Sequence, residues 1–228
     1  MEILKYLIFL LAAMLCIILH EFAHAYVALL NGDPTARKAG RLTLNPVRHF
    51  DLFGFLLFAV FRIGYAKAVP ITPYYFKNRK VGIITVALSG VVLNLLISFL
   101  MVPVILLLAK FLYPVMSDSI EGLRGYELME TFFTSVCTVG VSLFLFNLLP
   151  MYPLDGYNVI ESIFGCTHPF VRWLRDFAMY IFICVAITFY VAELFGLPDY
   201  FNPGYWYMEF LGGKIIELFY RIWLPLFV

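Results

Sequence analysis

Residues Tyr6 to Leu30 read YLIFLLAAMLCIILHEFAHAYVALL. As a helix these 25 residues extend about 37 Å, enough to cross the ~30 Å hydrocarbon core of a bilayer. Lys5 ahead of an apolar run invites comparison with a secretory signal. The run is longer than the apolar part of a signal and lacks a small-residue cleavage site. It also holds His20, Glu21 and His24 near its end. Ionisable groups inside a span are costly, so three together point to a retained helix with a task.

The composition agrees with a membrane chain. Of 228 residues, 63% are hydrophobic and 14% charged, and the mean hydropathy is +0.90. Soluble domains sit near 45–50% apolar and about 25% charged, so that class is excluded, along with disorder, collagen and coiled coil. The length suits one membrane domain of about four to six spans without a sizeable soluble domain. A net charge of +1 gives no basic field, so nucleic acid is not an expected partner. Cys16, Cys137, Cys166 and Cys184 show no C-x-x-C spacing and are expected to be small core residues outside any disulfide framework.

Further spans are expected at 81–109, at 132–149 and, slightly short, at 177–192. Residues 31–80 form a break. Within it, Leu52 to Phe61 is apolar but too short to cross as a helix, which suits a re-entrant piece. Arg41–Thr43 and Tyr65–Thr72 alternate loosely, as short strands do. Residues 113–130 are polar and acidic. Gly196 to Gly213 reads as interfacial, and Lys214 to Val228 as an interfacial helix or a partial fifth span. The fold class is therefore an all-α multi-pass membrane protein of about four to five transmembrane helices, expected as a single domain over 1–228.

Lys and Arg are distributed unevenly between the spans. Residues 31–80 carry nine, 111–131 carry one (Arg124) and 156–176 carry two (Arg172, Arg175). The positive-inside rule places the first and third of these segments in the cytoplasm and the N-terminus outside a cell membrane.

His20-Glu21-Phe22-Ala23-His24 is an H-E-x-x-H pattern. On a helix, i and i+4 share a face, so both imidazoles can grip one metal ion, and the glutamate can serve as general base to a water on it. Random placement would give roughly three such patterns per thousand chains of this composition, so context decides. The bland reading, core histidines and a snorkelling glutamate, leaves three ionisable groups in one apolar helix unexplained. Catalytic zinc sites take three protein ligands and keep one position open. The candidate third ligand is Asp155 in Asn147-Leu148-Leu149-Pro150-Met151-Tyr152-Pro153-Leu154-Asp155-Gly156. His20 and Asp155 both fall near the cytoplasmic ends of spans that run the same way. Glu161 is a weaker ligand candidate, and His168 reads as functionally neutral. His49 reads as a polar loop residue or a substrate contact. Asn94 and Asn147, polar residues within spans, read as interhelical hydrogen-bonding groups or as substrate-holding ones.

With these motifs the chain resembles the site-2 protease family of intramembrane zinc metalloproteases, in its short bacterial form without PDZ or CBS domains. Four segments carry the resemblance: His20 to His24; Gly40-Arg41-Leu42-Thr43-Leu44-Asn45-Pro46 through His49 and Asp51; Ala66-Lys67-Ala68-Val69-Pro70 with Ser89-Gly90 to Asn94; and Asn147 through Gly156. The resemblance implies one Zn2+ on His20, His24 and Asp155, with Glu21 activating water. It implies cleavage of a membrane-protein substrate within or near its transmembrane segment in the lipid bilayer. It also implies a three-helix catalytic core over 6–155 and a small re-entrant or β-hairpin element within 31–80 that engages substrate as a strand. One departure is Gly90-Val91, where relatives often carry Gly-Pro. Two alternatives stand beside this reading. A prenyl-protein peptidase would need a third glutamate ligand that nothing here offers clearly. A non-catalytic zinc-binding pseudoprotease or membrane scaffold would be expected to lack Glu21 or Asp155. The oligomeric state is not legible.

Overall fold

The structure is a computed structural model, and it describes residues 1–50, 67–196 and 205–227. Three long apolar helices form its centre: α1, Glu2–Leu30; then, after the short helices α2 (Thr35–Lys38) and α3 (Pro46–His49), α4, Arg79–Leu107; and, after the single turn α5 (Tyr113–Met116), α6, Ile120–Leu148. Each of the three has 29 residues and reaches about 44 Å. Among the described residues, three helical stretches are long and apolar enough to cross a membrane: Glu2–Leu30, Arg79–Met116 and Ile120–Leu148. The chain is an all-α multi-pass membrane protein.

α1, α4 and α6 pack against one another pairwise. Their contact surfaces are built from small residues. Ala12 and Cys16 of α1 meet Val136 of α6 in one buried cluster. A Cβ on Gly140 of α6 would collide with the Ser98 hydroxyl of α4, so this glycine lets the two backbones close. The large residues lie outside: Leu4, Leu7, Leu11 and Leu15 are all exposed along one side of α1. Small residues within and large apolar residues outside is the distribution expected when lipid is the solvent, because tight packing replaces hydrophobic collapse.

Several boundaries differ from the sequence reading. Residues 120–130, read as a polar connection, belong to α6. The Ser119 side chain caps that helix by accepting from Gly122 N, and Glu121 sits favourably in the first turn. The expected span at 177–192 lies inside α8, Pro169–Leu194, which follows α7, Asp155–Phe164. The closing stretch forms α9, Leu211–Trp223. Its Phe219 enters a core cluster with Val102, Ile105, Cys137, Val141 and Leu145. Cys16 and Cys137 are buried as expected, but Cys166 and Cys184 are exposed.

The expected strands are also corrected. Arg41–Thr43 and residues 67–72 form no strand, and beyond an isolated bridge at Phe50 no strand occurs among the described residues. The segment 67–72 is nonetheless held firmly, by side chains in place of a sheet partner. The buried Arg41 guanidinium donates to the carbonyls of Lys67 and Ala68. Lys67 N donates to His49 O, and Thr72 N donates to the Asp33 carboxylate at 2.6 Å. The expected re-entrant piece Leu52 to Phe61 lies outside the described residues, as do Asp51, Tyr65 and Ala66.

Candidate metal centre

His20 and His24 lie on the buried face of α1, one turn apart, with ring centroids 4.4 Å apart and ring planes near perpendicular. Asp155 comes from the far end of the chain. After α6 ends at Leu148, a turn folds back, with Leu154 N bonded to Met151 O, and α7 starts at Asp155 itself. The carboxylate thus sits in the first turn of a helix, where the macrodipole favours negative charge. The next residue has to be glycine: a Cβ on Gly156 would run into the Leu148 and Leu149 carbonyls.

The three side chains converge. Asp155 Oδ2 lies 3.1 Å from His20 Nε2 and 3.2 Å from His24 Nε2, and the two Nε2 atoms are 2.9 Å apart. Among the described residues these three form the one group able to hold a metal ion. Ligand atoms around a tetrahedral zinc at ~2.0–2.1 Å stand about 3.3 Å apart, so the triangle is close to the size required. The donor set fits as well. His24 Nδ1 donates to the Val86 carbonyl at 2.7 Å, which turns the Nε2 lone pair of His24 towards the cluster. Asp155 Oδ2 is buried without a well-directed hydrogen bond. Acceptor atoms crowded in this way call for a cation between them. Burial alone would raise the Asp155 carboxyl, but the close polar contacts and charge of His20 and His24 outweigh it and hold it at about 2.

A cavity of about 430 Å³ opens onto the cluster. Glu21 lines it, next to His20 and His24. Its Oε2 accepts from Val69 N at 3.0 Å, so the segment 67–72 holds one carboxylate oxygen. Asn147 also lines the cavity, with its amide donating to Leu143 O at 3.1 Å. Glu161, weighed earlier as a ligand, stays out of the cluster and instead accepts from the Tyr157 hydroxyl while lining the cavity wall.

Asn94 is fully buried, and its amide lies 3.0 Å from His20 Nδ1. Gly90 makes room for that ring: a Cβ there would stand 2.6 Å from His20 Nδ1. His49 is not brought to the cluster. It is buried in the 41–50 segment with Nε2 2.6 Å from the Thr43 carbonyl. Residue types gave no sign of Val69 and Val86, which act through their backbones. Asp33 and Arg41 were polar residues near a break, with nothing to mark them as anchors.

Residues 8–189 match the sequence profile of Peptidase family M50. The chain belongs to that family, the site-2 protease family. Of its M50 relatives, a Bacillus subtilis (strain 168) protein named "Putative zinc metalloprotease YwhC" is 39% identical over 145 residues. Proteins named "Putative zinc metalloprotease Rip2" are 26% identical over 201 residues in Mycolicibacterium smegmatis and 25% over 218 residues in Mycobacterium tuberculosis H37Rv. The alignments cover 64%, 85% and 90% of this chain, and 64%, 70% and 77% of those proteins. The Bacillus match therefore spans less than two thirds of its length. No solved structure matches the chain significantly.

Proposed function

We propose that the chain is a zinc-dependent intramembrane endopeptidase that hydrolyses peptide bonds within or near transmembrane segments of membrane proteins. The observation that carries this reading is the His20–His24–Asp155 triangle beside Glu21 on one cavity among three packed spans. Family membership supports it.

In this reading His20 Nε2, His24 Nε2 and Asp155 hold the ion. Zinc, when bound, supplies Lewis acidity that makes a water a nucleophile near neutral pH and polarises the scissile carbonyl. Glu21 takes the proton from the water and returns it to the leaving amine. With Oε2 held by Val69 N, the other carboxylate oxygen is left for that work. A transmembrane helix hides its amides, so the substrate has to unwind before it can be cut. Ala68, Val69 and Ile71 of the segment 67–72 line the cavity, and an unwound substrate lies against them. Asn147 on the same wall is placed to hold substrate backbone. The nine basic residues of 31–80 support a metal centre towards the cytoplasm and an N-terminus outside.

The test is cleavage of a reconstituted membrane-protein substrate by wild type and Glu21→Gln, both zinc-loaded. The amide cannot accept the proton, so activity is expected to fall at least ~100-fold while zinc content is unchanged. Equal activity in the variant would sink the assignment. A zinc-loaded wild type inert towards every transmembrane substrate offered would favour a non-catalytic zinc-binding protein.

A further inference from the structure

We infer that Asn94 is a positioning residue that fixes which nitrogen of His20 faces the metal, an assignment that rests on the zinc reading above.

Both metal-facing histidines are backed by the same helix, α4, but by different chemistry. Behind His24 stands the carbonyl of Val86, which only accepts. It accepts from Nδ1, so a neutral His24 keeps its lone pair on Nε2. Behind His20 stands a side-chain amide. The Asn94 Nδ2 group lies 3.0 Å from His20 Nδ1, and Asn94 Oδ1 is buried without any partner. An unpaired buried carbonyl oxygen costs of the order of a lost hydrogen bond, so an orphan in the middle of a membrane protein calls for an explanation.

The two imidazoles explain it. A neutral His24 accepts at Nε2, 2.9 Å from His20 Nε2; His20 then donates from Nε2 and its Nδ1 accepts from Asn94 Nδ2. To ligate through Nε2, His20 has to carry its proton on Nδ1 instead. A half-turn of the Asn94 amide then presents Oδ1 to that Nδ1–H and pairs the orphaned oxygen. A carboxamide is suited to both states; leucine serves neither, and a carboxylate serves the ligating state alone. Gly90, one turn before Asn94, seats the ring close enough for the contact. The Ser98 hydroxyl donates to the Asn94 backbone carbonyl at 2.9 Å, one turn further along α4. Partners that orient ligating histidines in this way are worth 10–100-fold in metal affinity.

The experiment is a zinc competition titration of the detergent-purified full chain with a chromogenic chelator. Wild type, Asn94→Leu and Asn94→Asp are compared, and a 15N-histidine spectrum of zinc-loaded wild type is recorded. The expected results are a Kd raised about 10–100-fold in Asn94→Leu, a Kd within about threefold of wild type in Asn94→Asp, and Nδ1–H signals from both His20 and His24. Rescue by the acceptor-bearing variant separates positioning from packing, and the wild-type spectrum decides even where a variant fails to fold. Asn94→Leu binding zinc as wild type does would overturn the inference and leave the zinc reading standing. So would equal loss in both variants, or a His20 whose Nδ1 is unprotonated with zinc bound. A wild type that binds no zinc would overturn both.

Discussion

Gly90→Ala is the sharpest single-atom perturbation of the metal centre. The added Cβ would stand 2.6, 2.7 and 2.8 Å from Nδ1, Cε1 and Cγ of His20. Ordinary contact between such atoms is about 3.5–4.0 Å, so the ring has to retreat by roughly 1 Å. It cannot rotate away freely, because Nδ1 is tied to Asn94 and the ring edge meets His24. The three ligand atoms are now 2.9–3.2 Å apart. Metal–ligand distances tolerate about 0.2 Å, so a 1 Å retreat removes His20 from the set. Overpacking adds about 1–3 kcal/mol of destabilisation. Expected outcomes are a zinc Kd raised at least ~100-fold, equivalent to about 2.7 kcal/mol, and a lowered Tm. The assay is chelator competition on purified protein, with Gly213→Ala as a control, since a Cβ at Gly213 meets nothing within 4 Å. Zinc affinity of Gly90→Ala within threefold of wild type would refute the reasoning, because the helix would then have moved instead of the ring.

Two further expectations follow from the anchors and the carboxylate. Asp33→Ala strands the Thr35 and Thr72 amides that donate to a fully buried carboxylate, and charge-assisted bonds are worth about 1.5–3 kcal/mol each. The variant is expected to unfold at clearly lower temperature in detergent and to cleave poorly, because the segment that grips Glu21 loses its far end; an unchanged melting curve would count against the anchor. In metal-free protein the Asp155 carboxyl, at about 2, lies below its ordinary value of 3.8. Its contribution to stability is therefore present above pH about 4 and lost as pH falls through about 2. The carboxyl 13C shift reads this directly, and a midpoint at or above 4 would contradict the contact with the two imidazoles.

The membrane class and the candidate metal-binding residues were legible in residue types. Apolar length, buried ionisable groups and the i, i+4 pair are properties of local sequence, and the solvent imposes them: a bilayer requires long apolar helices and makes His20, Glu21 and His24 expensive in one. Asp155 was legible for a related reason, since its place after a second span of the same direction put it at the same depth. The sequence could not convey which groups stand behind the ligands. Val86 and Val69 act through a carbonyl and an amide that every residue owns, so no residue type marks them. The alternation near 67–72 was read as a strand, but periodicity cannot tell a sheet partner from Arg41 and Asp33, which fill that role here. His49 carried the right chemistry for a site, and the chain path took it elsewhere. Sequence determined which atoms could bind a metal. Tertiary structure alone decided which of them meet, because contacts between α1, α4 and α7 close across more than sixty residues, where local pattern carries no information.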